Sequence, residues 1–267
     1  MSSSLKNPMV LFFLVAFGMP WLGWSSIHFF GMTEPSPLRT ALFYTGDFCS
    51  VAGFVAIYAQ SGKAGVIDLL KRCVRFNVPI IWWMIAIGVP FLITFAAYSL
   101  VGLGGDGIGK FDPAGFSTYL APAVLINFTT GPWGEEAGWR GYLTPKLLEK
   151  NNAIVASLMV GFLWGIWHLP LYIDSVFSTF SGGLEFTVHT MLTSIIMTAI
   201  LLHTNGSVLV AVIYHWLINA TPWVLDTVFV DIEADDVSVM SLVVKAVIVL
   251  IFIAVLGKNL KRDPIGK

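Results

Sequence analysis

Apolar residues run in long stretches along this chain, and charged residues, Gly and Pro gather between them. About 20 consecutive apolar residues make one membrane-spanning helix. Read this way, the stretches predict spans near 8–30, 40–60, 79–103, 119–143, 153–173, 187–203, 207–224 and 240–257. The expected architecture is all-α, a polytopic membrane protein of about eight transmembrane helices around an intramembrane polar cavity. The first stretch exceeds a signal-peptide core and lacks a small-residue cleavage site, so it reads as a retained span. No repeat, low-complexity tract or linker divides the chain, and 1–267 reads as a single transmembrane domain.

Composition strengthens this picture. Of 267 residues, 56% are hydrophobic and 12% charged, against roughly 25% charged in a soluble domain. An ordinary soluble enzyme is excluded. With 15 Lys and Arg against 16 Asp and Glu, no basic excess exists to grip nucleic acid. The two cysteines, Cys49 and Cys73, build neither a disulfide framework nor a thiolate metal site.

The connections alternate in charge. One side carries Lys6, the segment 61–78 with Lys63, Lys71, Arg72 and Arg75, the turn with Lys146 and Lys150, and the C-terminal Lys258, Lys261, Arg262 and Lys267. The other side has only Arg39 and Lys110 among acids such as Glu34, Asp174, Glu185, Asp226 and Asp236. The positive-inside rule then places both termini in the cytoplasm. Segment 66–76 (VIDLLKRCVRF) reads equally as a helix flat on the inner leaflet or as a basic loop. A short chain with inside-positive loops and no targeting segment points to a prokaryotic plasma membrane.

Five charged residues remain inside the proposed spans: Asp47, Glu135, Glu136, Arg140 and Lys245. Lys245 lies near a span end, from which it can snorkel. Asp47 reads as a satisfied interior carboxyl. The cluster GPWGEEAGWRGYL is different, because an ionisable group at mid-bilayer costs roughly 2.5–3.5 kcal/mol on insertion scales. Three in six residues must pair, line a wet cavity, or both. Glu136 and Arg140 are i,i+4 and share a helix face, whereas Glu135 points about 140° from Arg140 on a helix of about 100° per residue. Glu136 is expected to neutralise Arg140. Glu135 is then left without a partner in its own helix, in the low-dielectric setting that suits a carboxylate to general-base work.

Two histidines fall at a matching depth. The polar turn 149–152 reads as a hairpin tip, with Glu135 sixteen residues before Asn151 and His168 sixteen after Asn152. Trp164 lies one turn before His168, placed to cover the imidazole, and Pro170 marks a kink nearby. On a third arm His215 and Asn219 are i,i+4 and project from one face. His28, His189 and His203 fall near span ends and receive no role.

E135-E136-A-G-W-R140, W164-G-I-W-H168 and H215-W-L-I-N219, in this order, resemble the E-E-x-x-x-R, F-x-x-x-H and H-x-x-x-N motifs of the CPBP (CAAX protease and bacteriocin-processing, Abi) intramembrane endopeptidases, which include the type II CAAX prenyl endopeptidase. The motif-bearing core covers about 119–224, and Trp164 replaces the family's usual Phe. The resemblance implies peptide hydrolysis within the membrane, often classed as metalloendopeptidase chemistry. Glu135 with His168 would activate water, His215 and Asn219 would hold the oxyanion, and Glu136, Arg140 and Trp164 would support them. Glu135, His168 and His215 are a plausible zinc set, but H-E-x-x-H is lacking and an amide is a poor ligand, so a metal-free glutamate mechanism without cofactor is expected. The expected partners are the lipid bilayer and a membrane-associated or prenylated peptide or protein. No oligomeric state is specified. YTGD at 44–47, GLGGD at 102–106 and loop-borne FSGG at 180–183 lack the context that aspartyl or rhomboid intramembrane proteases need. The competing reading is a non-proteolytic membrane protein, a bacteriocin-immunity scaffold or a proton-coupled transporter using the same buried cluster.

Overall fold

The computed structural model describes residues 7–104, 128, 131–226, 229 and 234–257, with the side chains of 234 and 235 outside the description. Lys6, Lys110, the loop 104–118 apart from Gly104, most of span 119–143 before Gly131 and the C-terminal lysines lie outside these residues. Everything described is helix, turn or irregular chain; no strand occurs among the described residues.

Among the described residues ten α-helices follow in chain order: α1 Pro8–Phe29, α2 Pro37–Phe43, α3 Phe48–Cys73, α4 Ile80–Gly104, α5 Pro132–Gly138, α6 Thr144–Leu148, α7 Ala153–Trp167, α8 Phe180–His203, α9 Val208–Leu225 and α10 Ala234–Leu256. Six helical segments among the described residues are long and apolar enough to cross a membrane, and α7 is a shorter apolar helix. Segment 131–148 is a further, mostly buried helical stretch, broken by a π-helical turn at Trp139–Leu143. The chain is a multi-pass membrane protein. Large apolar side chains such as Leu22, Ile80 and Leu250 stand exposed on the outer surface, as lipid contact requires.

Helix starts follow local chemistry. Asn7, Ser36, Asn152, Thr179 and Ser207 each accept a backbone N–H of the first turn, meeting donors that have no intrahelical partner. Pro8 and Pro37 occupy first-turn positions, where the missing N–H costs nothing. Packing is helix on helix: α1 on α3, α3 on α5, α7 on α8, and α4 on both α9 and α10, with α10 also against α8. Small residues set the closest approaches. A Cβ on Gly53 of α3 would come 2.5 Å from the Ala137 carbonyl oxygen, and one on Gly138 would collide with the Cys49 carbonyl. Such contacts let backbones touch where no hydrophobic effect drives association.

Several boundaries differ from the sequence expectation. Segment 61–78 is not a basic loop: α3 continues to Cys73, with a kink at Gly62 (φ 59°). Its last turn buries Arg72, whose Nε donates to the Gly206 carbonyl at 3.0 Å, Nη1 to Gly141 at 3.0 Å and Nη2 to Arg140 at 3.2 Å. Helix α7 stops at Trp167, six residues short of the expected span end, because the following residues lead into Pro170 and the residue before a proline disfavours helix. Helix α8 begins at Phe180, so FSGG and Glu185 are helical rather than loop. Helix α10 begins at Ala234, which moves Lys245 to the twelfth of its 23 residues. Lys245 is 8% exposed and hydrogen-bonded inside the bundle, so it does not snorkel.

Candidate active site

The site is built where α5, the end of α7 and α9 meet. Gly131 precedes α5 at φ 83°, a conformation that favours glycine, and a Cβ there would stand 3.0 Å from Glu135 Oε1. Its backbone also hydrogen-bonds the Asp47 carboxyl, which sits at the start of α3 and lines the same cavity. Asp47 is thus held, as expected of an interior carboxyl, but it faces the site.

Glu136 organises the buried charge. Its Oε1 accepts from Arg140 Nη1 at 3.0 Å and from His215 Nδ1 at 2.7 Å. Arg140 Nη2 donates onward to Ser194 Oγ on α8 at 2.9 Å, and its guanidinium lies 4.5 Å from the Trp164 ring centre. Glu136 and Arg140 are both fully buried. Four elements are therefore tied through one carboxylate and one guanidinium. The i,i+4 pairing read from the sequence is present, and its extension to His215 and Ser194 is tertiary.

Glu135 turns the other way. Its Oε2 accepts the Trp164 indole N–H at 2.6 Å, a charge-assisted bond that fixes the carboxylate. Trp164 was expected to cover His168, and its ring does lie 6.1 Å from the imidazole. Its larger role here, as donor to Glu135 and as a face for Arg140, could not be read from the spacing.

His168 occupies the C-cap of α7. Its Nδ1 lies 2.9 Å from the Trp164 carbonyl. A carbonyl only accepts, so Nδ1 carries the proton and Nε2 is left as an acceptor. The ring lies parallel to both Tyr172 (5.6 Å) and Trp24 (6.2 Å). Around it, Trp21 and Trp167 donate to the carbonyls of Trp167 and Ala16, pinning α1 to the end of α7.

Glu135, Trp164, His168, His215 and Asn219 all line one cavity of about 770 Å³. Glu135 and His168, on the two arms of the hairpin, thus face a common cavity. Ser194, Tyr172 and Asp47 were missed as neighbours of the site, since none belongs to a recognisable spacing. No group of three or more His, Cys, Asp or Glu side chains among the described residues is arranged to hold a metal ion, Glu135, His168 and His215 included.

Comparison with known proteins places this geometry. The model of the family "Type II CAAX prenyl endopeptidase Rce1-like" matches residues 117–221, a stretch containing all seven residues of the three motifs. Over those residues the chain is similar to this family. It is also 28% identical over 182 residues to a protein of Methanococcus maripaludis named CAAX prenyl protease 2. That match covers 64% of this chain and 65% of the relative, so the chain spans just under two thirds of that protein's length. The family segment stops before α10, which carries Lys245.

Proposed function

We propose that this protein is an intramembrane endopeptidase that hydrolyses a peptide bond of a membrane-associated peptide or protein, prenylated CAAX-type substrates among them. The observation that carries the reading is that Glu135 and His168 line the same cavity as the His215–Asn219 pair, among the helices of the bundle. The similarity of residues 117–221 to the family and the name of the Methanococcus maripaludis relative support the same activity. The membrane is taken to be a prokaryotic plasma membrane with both chain ends cytoplasmic.

The chemistry follows from the hydrogen bonds. Glu135, oriented by the Trp164 N–H, takes a proton from water while the oxygen attacks the scissile carbonyl carbon. His168, with Nδ1–H donated to a carbonyl, offers Nε2 as a second acceptor that holds this water. The new oxyanion needs donors. Asn219 supplies its amide, and His215 supplies Nε2–H when the ring carries both protons. On collapse the proton held by Glu135 passes to the leaving amine. Each donor aimed at the oxyanion is worth about 10²–10³ in rate in water-excluded sites. No step is routed through a metal.

The test is cleavage of a lipid-anchored, quenched fluorescent peptide by the protein in lipid nanodiscs. Wild type is expected to cut it, and Glu135→Gln to lose about 10²–10⁴-fold. A wild type that cuts nothing across a broad panel of such peptides, or a Glu135→Gln variant as fast as wild type, overturns the proposal.

A further inference from the structure

The helical run Pro37–Cys73 is 37 residues long, well beyond the roughly 20 that cross a membrane. It is kinked at Gly62, whose φ of 59° and ψ of −154° leave the helix. The stretch before the kink already suffices for a span, so the turns from Lys63 to Cys73 need another place. Trp82 and Trp83 stand in the first turn of α4, as rings at a membrane surface do, and Trp83 Nε1 donates to the Phe76 carbonyl at 3.3 Å. These turns are thereby tied to the surface level.

One face of them packs inward, with Leu69 and Arg72 buried. The other carries Lys63, Ile67, Leu70, Lys71 and Val74, spaced i, i+4, i+7, i+8 and i+11, and all five are exposed. Phe76 beside them is exposed too. Lys63 and Lys71 make no ion pair among the described residues; Asp68, the acid between them, lies 4.0 Å from Arg72 instead. A free anion needs only the ammonium groups. Ile67, Leu70, Val74 and Phe76 call for acyl chains as well, and a phospholipid brings both. The lysine stems can lie along the apolar stripe with their charges raised to the headgroups.

The inner face of the same turns grips the scaffolding of the site. Arg72, next to Lys71, donates to the carbonyls of Arg140 and Gly141, beyond Glu136, and of Gly206, ahead of α9. Arg75 Nη1 donates to the Asn205 carbonyl, and Ser207 Oγ, which caps α9, donates to the Arg75 carbonyl at 2.7 Å. Whatever holds this segment in place therefore holds the helices that bear Glu135 and His215.

We propose that the face formed by Lys63, Ile67, Leu70, Lys71 and Val74 is a binding surface for acidic phospholipids of the adjoining leaflet, and that its occupation steadies α5 and α9. The binding is independent of the peptidase reading above, whereas its effect on cleavage rests on that reading.

The experiment follows the unfolding midpoint of the protein in a neutral detergent as dioctanoyl phosphatidylglycerol, dioctanoyl phosphatidylcholine or glycerol phosphate is added, which gives a dissociation constant for each. Wild type is compared with Lys63→Gln/Lys71→Gln and with Lys146→Gln/Lys150→Gln, which removes the same charge from α6 and the turn after it. Phosphatidylglycerol should bind wild type about 5- to 25-fold more tightly than Lys63→Gln/Lys71→Gln, about fivefold per basic group at an acidic lipid surface. The second pair should bind it like wild type, and phosphatidylcholine should bind all three alike and more weakly. Equal phosphatidylglycerol affinity in wild type and Lys63→Gln/Lys71→Gln, equal affinity of wild type for the two lipids, an equal loss in the second pair, or glycerol phosphate binding as tightly as the lipid would each overturn the surface. In nanodiscs, wild type should cut a lipid-anchored peptide of zero net charge faster when phosphatidylglycerol replaces part of the phosphatidylcholine, and Lys63→Gln/Lys71→Gln equally fast in both. Equal wild-type rates in the two membranes overturn the link to the site. Absence of cleavage in either membrane sinks the peptidase reading, and the surface then stands or falls on the midpoint shifts.

Discussion

Replacing Glu136 by Gln removes a charge while changing the side-chain shape hardly at all. In the folded protein Glu136 Oε1 accepts from Arg140 at 3.0 Å and from His215 at 2.7 Å, with Glu136 and Arg140 fully buried. An amide oxygen can still accept, but Arg140 loses the carboxylate it is hydrogen-bonded to and keeps neutral partners, the amide, Ser194 and the Trp164 face. Removing one partner of a buried pair costs about 3–5 kcal/mol. At about 2–4 °C per kcal/mol for chains of this order of size, the apparent unfolding midpoint should fall by roughly 6–20 °C. Glu135→Gln makes the opposite case. Trp164 still has an oxygen to donate to, and an isolated carboxylate is gone from the interior, so the midpoint should stay within about 2–4 °C of wild type or rise. Thermal unfolding in one detergent, followed by tryptophan fluorescence, checks both, alongside peptide cleavage. Two adjacent glutamates are thus expected to fail differently, Glu136→Gln in stability and activity and Glu135→Gln in activity alone. An unshifted midpoint for Glu136→Gln, or equal falls for the two variants, would refute the division of labour.

Trp164→Phe keeps a ring over Arg140 but deletes the donor to Glu135. It should lower kcat about tenfold through a less ordered base, with KM little changed; an unchanged kcat would show that the indole N–H does not orient Glu135. Arg72→Lys cannot cover three carbonyls with one ammonium in the way a planar fork does, and should lower the unfolding midpoint by an amount matching about 2–5 kcal/mol. A midpoint like wild type would count against the capping role. Dialysis against a strong chelator should leave cleavage intact, with metal content far below one per chain; stoichiometric zinc lost together with activity would reverse the metal-free mechanism.

Local features of the site were legible and long-range ones were not. The Glu136–Arg140 pair could be read because i,i+4 spacing is a property of a single helix, and counting outward from one hairpin tip put Glu135 and His168 on facing arms that share a cavity. The bond from Trp164 to Glu135 joins side chains 29 residues apart, and spacing carries no information on rotamers that meet across two helices. Arg72 looked no different from Lys71 and Arg75, since only the tertiary approach of the Arg140, Gly141 and Gly206 carbonyls distinguishes it. Lys245 was misplaced by one boundary. The acids at 235 and 236 suggested a loop, yet both positions fall in the first turn of α10. Extending the helix back to Ala234 carries Lys245 from an end to the middle.

The π-helical turn at Trp139–Leu143 bears on how this protein can vary over evolutionary time. Such a turn corresponds to one extra residue accommodated in an otherwise α-helical run, and Arg72 occupies the carbonyls of Arg140 and Gly141 within it. Loss of a single residue there would leave the hydropathy of the segment untouched and restore a regular helix. It would also swing everything beyond by about 100°, carrying α7, with Trp164 and His168, away from Glu135. This stretch therefore accepts exchanges of side chain far more readily than changes of length, and the count of residues between Glu135 and Trp164 is itself part of the site.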